Sequence, residues 1–338
     1  MEIENYFNSM FDVITFGSAA WDAFMDLPPK FVKKSAHFTP AKDLVFDLGS
    51  KIDVPATRFA FGGGGVNTAR TFAAQGLDTA YCGMVGDDIP GREAIEYLKG
   101  LGVDASMAVK TDKISTNSSV VLNAPGMDRV ILVYRGASEL LENKNVQWDK
   151  MNAKLFYLAP LSGKLCRLTE QITAHAKKQG AMVAANLGNS QLAMGRACIK
   201  SLLARIDVLI LNQEEAAIMA EVDYADEAGI IKKIVHMHSG ISVITKGEAG
   251  AMVVGGGKIY KAKLKKFKIA NVTGAGDAFG SGFMSGMMAS GNDIEYSMKL
   301  ALVNAKHCLS SRRAEGLPAK QDRHLIEQEN IKIKIRSI

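Results

Sequence analysis

Short runs of apolar residues recur along the chain from residue 12, and longer stretches with polar residues at helical spacing lie between them. Runs of this length that are apolar at nearly every position are typical of strands buried on both faces of a sheet. The runs are DVITFG (12–17), TAYCGMVG (79–86), LFYLAP (155–160), AMVAAN (181–186), DVLILN (207–212) and ISVITK (241–246). We therefore predict that these six segments are strands of one sheet.

The stretches between these runs predict helices. The predicted helices span residues 66–75, 92–101, 165–179, 214–220 and 278–289. A chain in which strands and helices alternate forms a parallel sheet with helices packed on both faces. The fold class that we expect is therefore α/β, with a three-layer α/β/α, Rossmann-like core.

Two segments interrupt this alternation. Residues 23–57 contain four prolines and little helical periodicity, and residues 115–135 predict a β-hairpin, because two apolar runs flank Ala-Pro-Gly-Met-Asp (124–128). Both border segments to which we assign chemistry below, so we expect them to form a small β-rich lid over the cleft. The predicted core then comprises residues 11–22, 58–114 and 136–338.

Two basic stretches near the C-terminus alternate apolar and charged residues. IKIKIR (331–336) predicts an exposed edge strand in which the charged residues oppose aggregation. KAKLKKFK (261–268) predicts a strand with one solvated face, and attraction of nucleotide phosphates by its five lysines is the alternative interpretation.

The composition is that of a folded globular protein, with 47% hydrophobic and 22% charged residues among 338. The formal net charge of +6 favours anionic ligands without requiring nucleic acid. The four cysteines form no CxxC pair, which indicates neither a zinc site nor a disulfide framework and fits a reducing compartment. No basic leader and no apolar run of ~20 residues is present, so we expect a cytoplasmic protein without a membrane or nucleic-acid partner.

The strongest chemical signal is the loop TGAGD (273–277), which leads directly into a predicted helix. The backbone N–H groups of Gly274, Ala275 and Gly276 are expected to lie unpaired at the positive end of that helix, where they would form an anion hole for phosphoryl groups. Asp277 follows at once. An isolated carboxylate there would most often be a helix cap, but beside an anion hole it suits a base that accepts the proton of an attacking hydroxyl.

At this point the sequence resembles a known family. TGAGDAF (273–279) is similar to the C-terminal signature of the ribokinase-like, or pfkB, carbohydrate kinases. The N-terminal signature is also present, in GGGGVN (62–67) and GMVGDD (83–88). The resemblance extends from about residue 12 to about residue 318 and implies a ribokinase-like fold with an active cleft under the lid.

The resemblance assigns roles on the acceptor side of that cleft. It implies that Asp277 is the catalytic base and that Gly63, Gly64 and Asn67 grip sugar hydroxyls, although a glycine cluster before a helix is also compatible with a plain helix start. It also implies a sugar contact from an aspartate that ends the first strand, which falls on Asp22. Arg135 ends the lid hairpin and resembles lid residues of members that phosphorylate fructose or keto-deoxy sugar acids, with a solvated arginine as the alternative.

On the nucleotide side, Asn212 and Glu215 match the Asn-x-x-Glu motif of the family, in which Glu215 would hold Mg²⁺ through water. An acidic helix start is the alternative interpretation of this pair. Thr245 and Gly247 match the nucleotide-binding turn. Asn304 falls where the family lines its adenine pocket, and an exposed polar position on a helix is an equally good account.

One departure from the family pattern concerns a monovalent cation. The family places an acidic ligand of that site two residues before the motif threonine, where this chain has Asn271. Asparagine keeps an oxygen but lacks the charge, which argues against activation by K⁺ without removing the site altogether.

The activity that we expect is an ATP- and Mg²⁺-dependent kinase that phosphorylates a hydroxyl of a small sugar or sugar acid and forms a homodimer through its lid. A nucleoside kinase of the same fold is the alternative, with Phe24, Phe38 and Phe46 as a platform for the base. An alternative of another class is a sensor that binds sugar or nucleotide without turnover. The chain has neither a GxGxxG nor a GxxxxGK[ST] motif, so dehydrogenase and P-loop classes are disfavoured.

Overall fold

The computed structural model describes residues 10–35, 42–123, 129–311 and 324–338. The strands, in chain order, are β1 (Phe11–Phe16), β2 (Ala20–Asp26), β3 (Val32–Lys34), β4 (Lys42–Leu44), β5 (Ala56–Gly62), β6 (Thr79–Cys82), β7 (Met84–Gly86), β8 (Val109–Thr111), β9 (Asn117–Asn123), β10 (Arg129–Tyr134), β11 (Ala153–Leu158), β12 (Met182–Asn186), β13 (Val208–Asn212), β14 (Ile241–Thr245), β15 (Ala251–Gly255), β16 (Lys258–Ala262) and β17 (Lys334–Ser337).

The α-helices are α1 (Gly64–Ala74), α2 (Ile89–Gly100), α3 (Gly163–Arg167), α4 (Thr169–Lys178), α5 (Asn189–Leu192), α6 (Arg196–Leu203), α7 (Gln213–Ala220), α8 (Glu227–Met237), α9 (Ala275–Ser290), α10 (Ile294–Ser310) and α11 (His324–Gln328). Short 3₁₀ helices span Pro29–Phe31, Ala137–Leu140, Asn143–Asn145, Trp148–Lys150 and Gly247–Ala249. Among the described helices, none combines the length and the apolar character needed to cross a bilayer.

The main sheet of the described residues has nine strands in the order β17-β16-β15-β14-β13-β12-β11-β1-β6. Six adjacent strands of this sheet are parallel to one another, namely β6, β1, β11, β12, β13 and β14. The sheet then continues with β15, β16 and β17, each antiparallel to the strand before it. Successive residues of β11 enter opposite apolar layers, with Leu155 and Tyr157 on one side and Phe156 and Leu158 on the other. The predicted three-layer α/β core is therefore confirmed.

Helices cover both faces of this sheet. On one face α1, α9, α10 and α11 pack around Phe72, Phe283 and Met298, and on the other α4, α6, α7 and α8 pack around Ile172, Leu202 and Ile230. Because the parallel strands share one direction, their carboxyl ends meet at a single edge, which is where α/β proteins bind ligands. The candidate site lies at this edge.

Two predicted strands differ from the structure. TAYCGMVG is divided at Gly83 into β6 and β7, and β7 pairs with β8 outside the main sheet. A Cβ at Gly83 would lie 2.1 Å from Tyr81 Oη and 2.5 Å from Gly17 O, so the division falls where the backbone makes a close approach. KAKLKKFK forms a strand only at Lys261 and Ala262, because beyond them the chain leaves the sheet for α9. By contrast, β17 is the exposed edge strand that IKIKIR predicts.

A second sheet, here named the lid sheet, has the described strands β10-β9-β2-β5 in that order. Strand β2 is antiparallel to β5 and parallel to β9, and β9 is antiparallel to β10. Because β2 and β5 pair along their whole length, residues 20–22 and 58–62 belong to this sheet and not to the core to which the sequence assigned them. The connection predicted at 124–128 lies outside the described residues.

Candidate active site

The loop before α9 ends in a helix N-terminus that faces open space. Gly274 caps the helix with a φ of +77°, a conformation that residues with a Cβ rarely adopt. Ala278 N donates to Gly274 O at 2.8 Å, and the N–H groups before it have no partner inside an α-helix. A Cβ on Gly276 would meet no atom within 4 Å. The predicted anion hole at Gly274, Ala275 and Gly276 is therefore accessible to a ligand.

Asp277 lies in the first turn of α9 and is partly buried. Asn67 Nδ2 donates to Asp277 Oδ2 at 2.9 Å, a bond that links α1 to α9. Burial raises the pKa of Asp277, while the bond from Asn67 and the positive charge of Arg70 act to lower it. The carboxylate is thus fixed through one oxygen, directly beside the helix N-terminus.

Two glycines limit the space around the Asp277 carboxylate. Gly63 precedes α1, and Gly64 is its first residue. Gly63 has a φ of +88°, and a Cβ there would lie 2.5 Å from Ser18 O. A Cβ on Gly64 would lie 2.8 Å from Ala159 Cβ and 3.6 Å from Asp277 Oδ1. A side chain at either position would therefore displace α1 or enter the space beside Asp277.

Asp22 occupies a different element from the predicted one. It lies inside β2 of the lid sheet and not at the end of the first strand, because β1 ends at Phe16. Ser119 Oγ donates to Asp22 Oδ1 at 2.6 Å, and a Cβ on Gly62 would lie 2.1 Å from Asp22 Oδ2. Burial raises the pKa of Asp22, with the Ser119 bond opposing the shift. The carboxylate is positioned by three strands of the lid sheet.

Arg135 follows β10 directly, and its side chain is 59% exposed. Its Nη1 donates to Ser162 Oγ at 3.0 Å, and its Nε lies 3.9 Å from Glu139 Oε1. Ser162 lies in the segment that follows β11. The same segment begins with Ala159, which lies close to Gly64 in space. Arg135 therefore links the end of the lid sheet to the segment after β11, while more than half of its side chain stays exposed.

The predicted nucleotide contacts gather on neighbouring strands. Asn212 ends β13 and Thr245 ends β14, and the parallel register pairs these two residues directly. Gly247 follows with a φ of +54°, and a Cβ there would meet no atom within 4 Å. The three residues form an open surface at the same sheet edge as the helix N-terminus of α9.

Glu215 and Asn212 form a reciprocal capping box at the start of α7. Glu215 N donates to Asn212 Oδ1 at 2.8 Å, and Asn212 N donates to Glu215 Oε2 at 2.7 Å. Burial and the neighbouring Glu214 raise the pKa of Glu215, against the effect of the Asn212 bond. A nearby divalent cation would favour the charged form, so this carboxylate fits a role beside Mg²⁺. Within the described ranges, no three His, Cys, Asp or Glu side chains cluster as metal ligands.

Asn304 is placed differently from its prediction. It is fully buried between α9 and α10, and its Nδ2 donates to Ala278 O at 2.6 Å. A Cβ on Gly282 would lie 3.0 Å from Asn304 Cβ, so the two helices are in close contact here. The side chain has no surface for an adenine ring, and it is not the exposed helix residue of the alternative account either.

Asn271 lies in the loop before α9, at the position of the predicted cation ligand. Its Oδ1 accepts from Thr273 N at 2.9 Å, which leaves one lone pair of that oxygen unused. Its Nδ2 is buried without a hydrogen-bond partner among the described residues. The neutral side chain offers one oxygen and no negative charge at this position, so weak or absent activation by K⁺ stays a prediction.

Three residues near the site were not predicted. Arg70 lies one turn after Asn67 on α1, and helical spacing would have been enough to place it beside Asp277. Ser119 contacts Asp22 only because β9 pairs with β2, which no local pattern reveals. Tyr157 extends its ring from β11 to α9, where a Cβ on Gly280 would lie 2.3 Å from its hydroxyl oxygen.

The fold and the site together define an α/β phosphotransferase with an alcohol group as acceptor. A match to the family model described as pfkB family carbohydrate kinase covers residues 36–320, which is most of the chain. The chain therefore belongs to the pfkB family of carbohydrate kinases.

Individual relatives are distant but cover most of the molecule. An uncharacterised sugar kinase from Archaeoglobus fulgidus is 26% identical over 251 residues, which are 73% of this chain and 98% of that protein. A ribokinase from Haemophilus influenzae is 28% identical over 275 residues, which are 78% of this chain and 86% of that protein. The structure of Arabidopsis thaliana ribokinase complexed with ribose and ATP matches with a TM-score of 0.75 and 20% identity, covering 94% of this chain and 98% of that chain. At this identity the structural match supports the fold alone.

Proposed function

We propose that the protein transfers the γ-phosphoryl group of ATP to a hydroxyl of a small sugar or sugar acid. The observation that carries the proposal is the position of Asp277, which is fixed by Asn67 and lies directly beside the open N-terminus of α9. A carboxylate in this position would repel a phosphoryl group unless an acceptor hydroxyl lay between them. That arrangement is the one that phosphoryl transfer requires.

The chemical step needs few groups. Asp22 and Asn67 hold hydroxyls of the acceptor, and Asp277 orients one of them by accepting its hydrogen bond. As the bond from the acceptor oxygen to the γ-phosphorus forms and the bond to the β-γ bridging oxygen breaks, the hydroxyl proton passes to Asp277 and ADP leaves. The N–H groups of Gly274 to Gly276 stabilise the negative charge on the transferred group without any rearrangement.

The nucleotide is bound on the neighbouring strand ends. Asn212, Thr245 and Gly247 face the same edge as α9, and the conformation of Gly247 lets the backbone approach a ligand closely. Glu215 would hold Mg²⁺ through water, and the ion would supply charge neutralisation at the phosphates. Asn212 is exposed. The part of its side chain that takes no part in the capping box contacts the nucleotide.

The residues of the lid favour a polar acceptor over a nucleoside. Phe24, one of the three rings considered as a platform for a base, is only 2% exposed. Phe46 contacts Phe31 at 5.3 Å between ring centroids but is still 39% exposed, and Phe38 lies outside the described residues, so Phe24 alone is ruled out as a platform. Arg135, by contrast, offers an accessible guanidinium with hydrogen-bonding groups suited to a carboxylate or to several hydroxyls.

The first prediction tests this choice of acceptor. In Arg135→Ala we expect the KM for the best sugar or sugar acid to rise about tenfold, because a hydrogen bond to a charged group is lost. The KM for ATP should stay the same. The matched control is Arg196→Ala. Arg196 is the first residue of α6, and its exposed side chain pairs with Glu221, which follows α7. An unchanged acceptor KM in Arg135→Ala would remove this residue from the acceptor site.

The lid sheet is proposed to close over the acceptor and to join two copies of the chain. Its edge strand β10 exposes five consecutive apolar or aromatic side chains, which are Val130, Ile131, Leu132, Val133 and Tyr134 at 36 to 59%. An exposed edge strand of this kind pairs readily with another strand, and arginines flank it only at its two ends. A second copy of the same lid sheet would cover these side chains through a symmetric contact.

The second prediction is that Leu132→Lys converts a dimer into a monomer. Leu132 is 56% exposed and pairs with Val120, so it lies on the face of the lid sheet opposite to Asp22. The wild type should elute at twice the monomer mass in light scattering coupled to gel filtration, and the variant at the monomer mass. Val235→Lys introduces the same charge in place of an exposed apolar side chain on α8, and this variant should remain dimeric. A monomeric wild type would refute the proposed dimer.

A further inference from the structure

Tyr157 carries a buried hydroxyl that the fold does not use. The residue lies on β11 in the centre of the main sheet and is completely inaccessible to solvent. Within the described part of the chain its Oη has no hydrogen-bond partner. Because a buried hydroxyl without a partner costs stability, phenylalanine would pack here with no such loss. Packing alone therefore does not explain why this residue is a tyrosine and not a phenylalanine.

The ring of Tyr157 lies between the two helices that the bond from Asn67 to Asp277 joins. Phe72 of α1 contacts it edge to face, with 5.3 Å between ring centroids. On the α9 side, a Cβ on Gly280 would lie 2.3 Å from the hydroxyl oxygen. Gly280 follows Asp277 by three residues, which is about one turn of the same helix. The hydroxyl is thus held against α9 one turn below the catalytic carboxylate.

Gly280 supports the view that this contact is specific. Glycine inside a helix is less favourable than alanine, yet any larger residue at position 280 would collide with the Tyr157 hydroxyl. The other neighbours of such a Cβ, Ile210 Cδ1 at 3.2 Å and Tyr157 Cζ at 3.5 Å, are much less restrictive. The helix therefore accommodates the hydroxyl itself and not merely the ring.

Tyr81 provides the contrast. It is also fully buried, on the nearby strand β6, but its hydroxyl donates to Gly17 O at 3.1 Å. The Tyr81 hydroxyl therefore has a hydrogen-bond acceptor within the fold. The Tyr157 hydroxyl, which lies beside the site, has none among the described residues and is available as a donor. Burial and the charge of Asp277 hold the pKa of Tyr157 well above its ordinary value, which favours the protonated, donating form of the hydroxyl.

We propose that Tyr157 is a positioning residue for Asp277, whose hydroxyl donates a hydrogen bond to the charged carboxylate in the substrate-bound enzyme. This inference rests on the proposed role of Asp277 as the base. No proton is transferred from Tyr157, which acts as a neutral dipole that favours the ionised form of Asp277 and fixes its orientation. Arg70 of α1 acts on the same carboxylate through its charge, and Asn67 through its amide.

The test compares Tyr157→Phe with Tyr81→Phe. In Tyr157→Phe we expect kcat to fall about tenfold, because a hydrogen bond to a charged group is lost. Asp277 must be ionised to accept a proton, and loss of the donor raises its pKa, so the acidic limb of the kcat profile should move to higher pH. The Tm should not fall, since an unsatisfied group is removed. Tyr81→Phe should lower the Tm and leave the acidic limb in place.

A second pair of variants keeps the proposal testable if one protein folds poorly. Gly280→Ala should lower kcat by displacing the hydroxyl, and adding Tyr157→Phe should cause no further loss, because both changes remove the same contact. Independent, multiplicative losses would contradict the inference. So would a Tyr157→Phe protein whose kcat and acidic limb match the wild type, or one that loses stability with an unmoved acidic limb.

Comparing Asp277→Asn with Tyr157→Phe separates the role of Tyr157 from the function on which that role rests. If Asp277→Asn retains nearly wild-type turnover, the proposed function fails, whatever Tyr157→Phe does. If Asp277→Asn is inactive and Tyr157→Phe is kinetically silent, the function stands and only the role of Tyr157 is refuted. Activity losses in both, with a shift of the acidic limb in Tyr157→Phe, support both statements.

Discussion

Asp277→Asn is expected to lower kcat by roughly 10²–10⁴, the range typical of lost general-base catalysis. Asparagine keeps the shape of the side chain and leaves the N–H groups of Gly274 to Gly276 in place, but it cannot accept the hydroxyl proton. The affinity for ATP should therefore stay close to that of the wild type. Steady-state kinetics together with calorimetric titration of ATP measure both quantities.

The same variant should be more stable than the wild type at neutral pH. Burial raises the folded-state pKa of Asp277 above its unfolded value, so the folded protein binds the proton more tightly in the window between the two. As pH rises through that window, loss of this proton therefore lowers the free energy of unfolding. A neutral amide has no such cost, and Asp277→Asn should raise the Tm at pH 7 and lose this advantage in acid.

A loss of turnover below about tenfold in Asp277→Asn would contradict the assignment of the base. Asp293→Asn is the matched control, since Asp293 also lies at a helix N-terminus, where its carboxylate caps α10 by accepting from Glu295 N and Tyr296 N. That change should affect stability slightly and leave kcat unchanged.

Asp22→Ala is expected to lower kcat/KM for the acceptor by about 100-fold, since it removes a buried carboxylate that we propose to hold acceptor hydroxyls. The KM for ATP should not change, because the proposed nucleotide contacts lie on β13 and β14 and not on the lid sheet. Kinetics with each substrate varied in turn separate the two effects.

Asp26→Ala is the control for this prediction. Asp26 lies on the same strand and the same face as Asp22, but its carboxylate pairs with Arg58 at 2.9 Å. Gly62→Ala provides a second variant, in which the new Cβ would push Asp22 Oδ2 from its place and away from Ser119. It should resemble Asp22→Ala in the acceptor parameters. If Asp22→Ala lowers kcat/KM no more than Asp26→Ala, Asp22 is not an acceptor contact.

Local patterns were sufficient for the core of the fold. The runs around Val13, Leu155, Val208 and Val243 are apolar on both faces, and only the interior of a layered sheet can bury such strands. The glycines of the two signatures were equally informative, since Gly63 and Gly274 adopt positive φ values that few other residues tolerate.

What the sequence could not supply was the pairing of distant segments. The prediction that Asp22 ends the first strand is wrong, because nothing near Asp22 in the sequence shows that β2 pairs with both β5 and β9. Asn304 was misplaced because α10 is apolar around much of its circumference, so its pattern does not reveal which side meets α9. The bond between Asn67 and Asp277 spans 210 residues and follows only from the packing of α1 on α9.

The most direct test of the account is a coupled assay of ADP release by the purified protein with ATP, Mg²⁺ and a panel of sugars, sugar acids, sugar phosphates and nucleosides. A free sugar or a sugar acid should give the highest kcat/KM, and Asp277→Asn should abolish the signal. A nucleoside as the best acceptor, or no ADP release above background with any member of the panel, would contradict it.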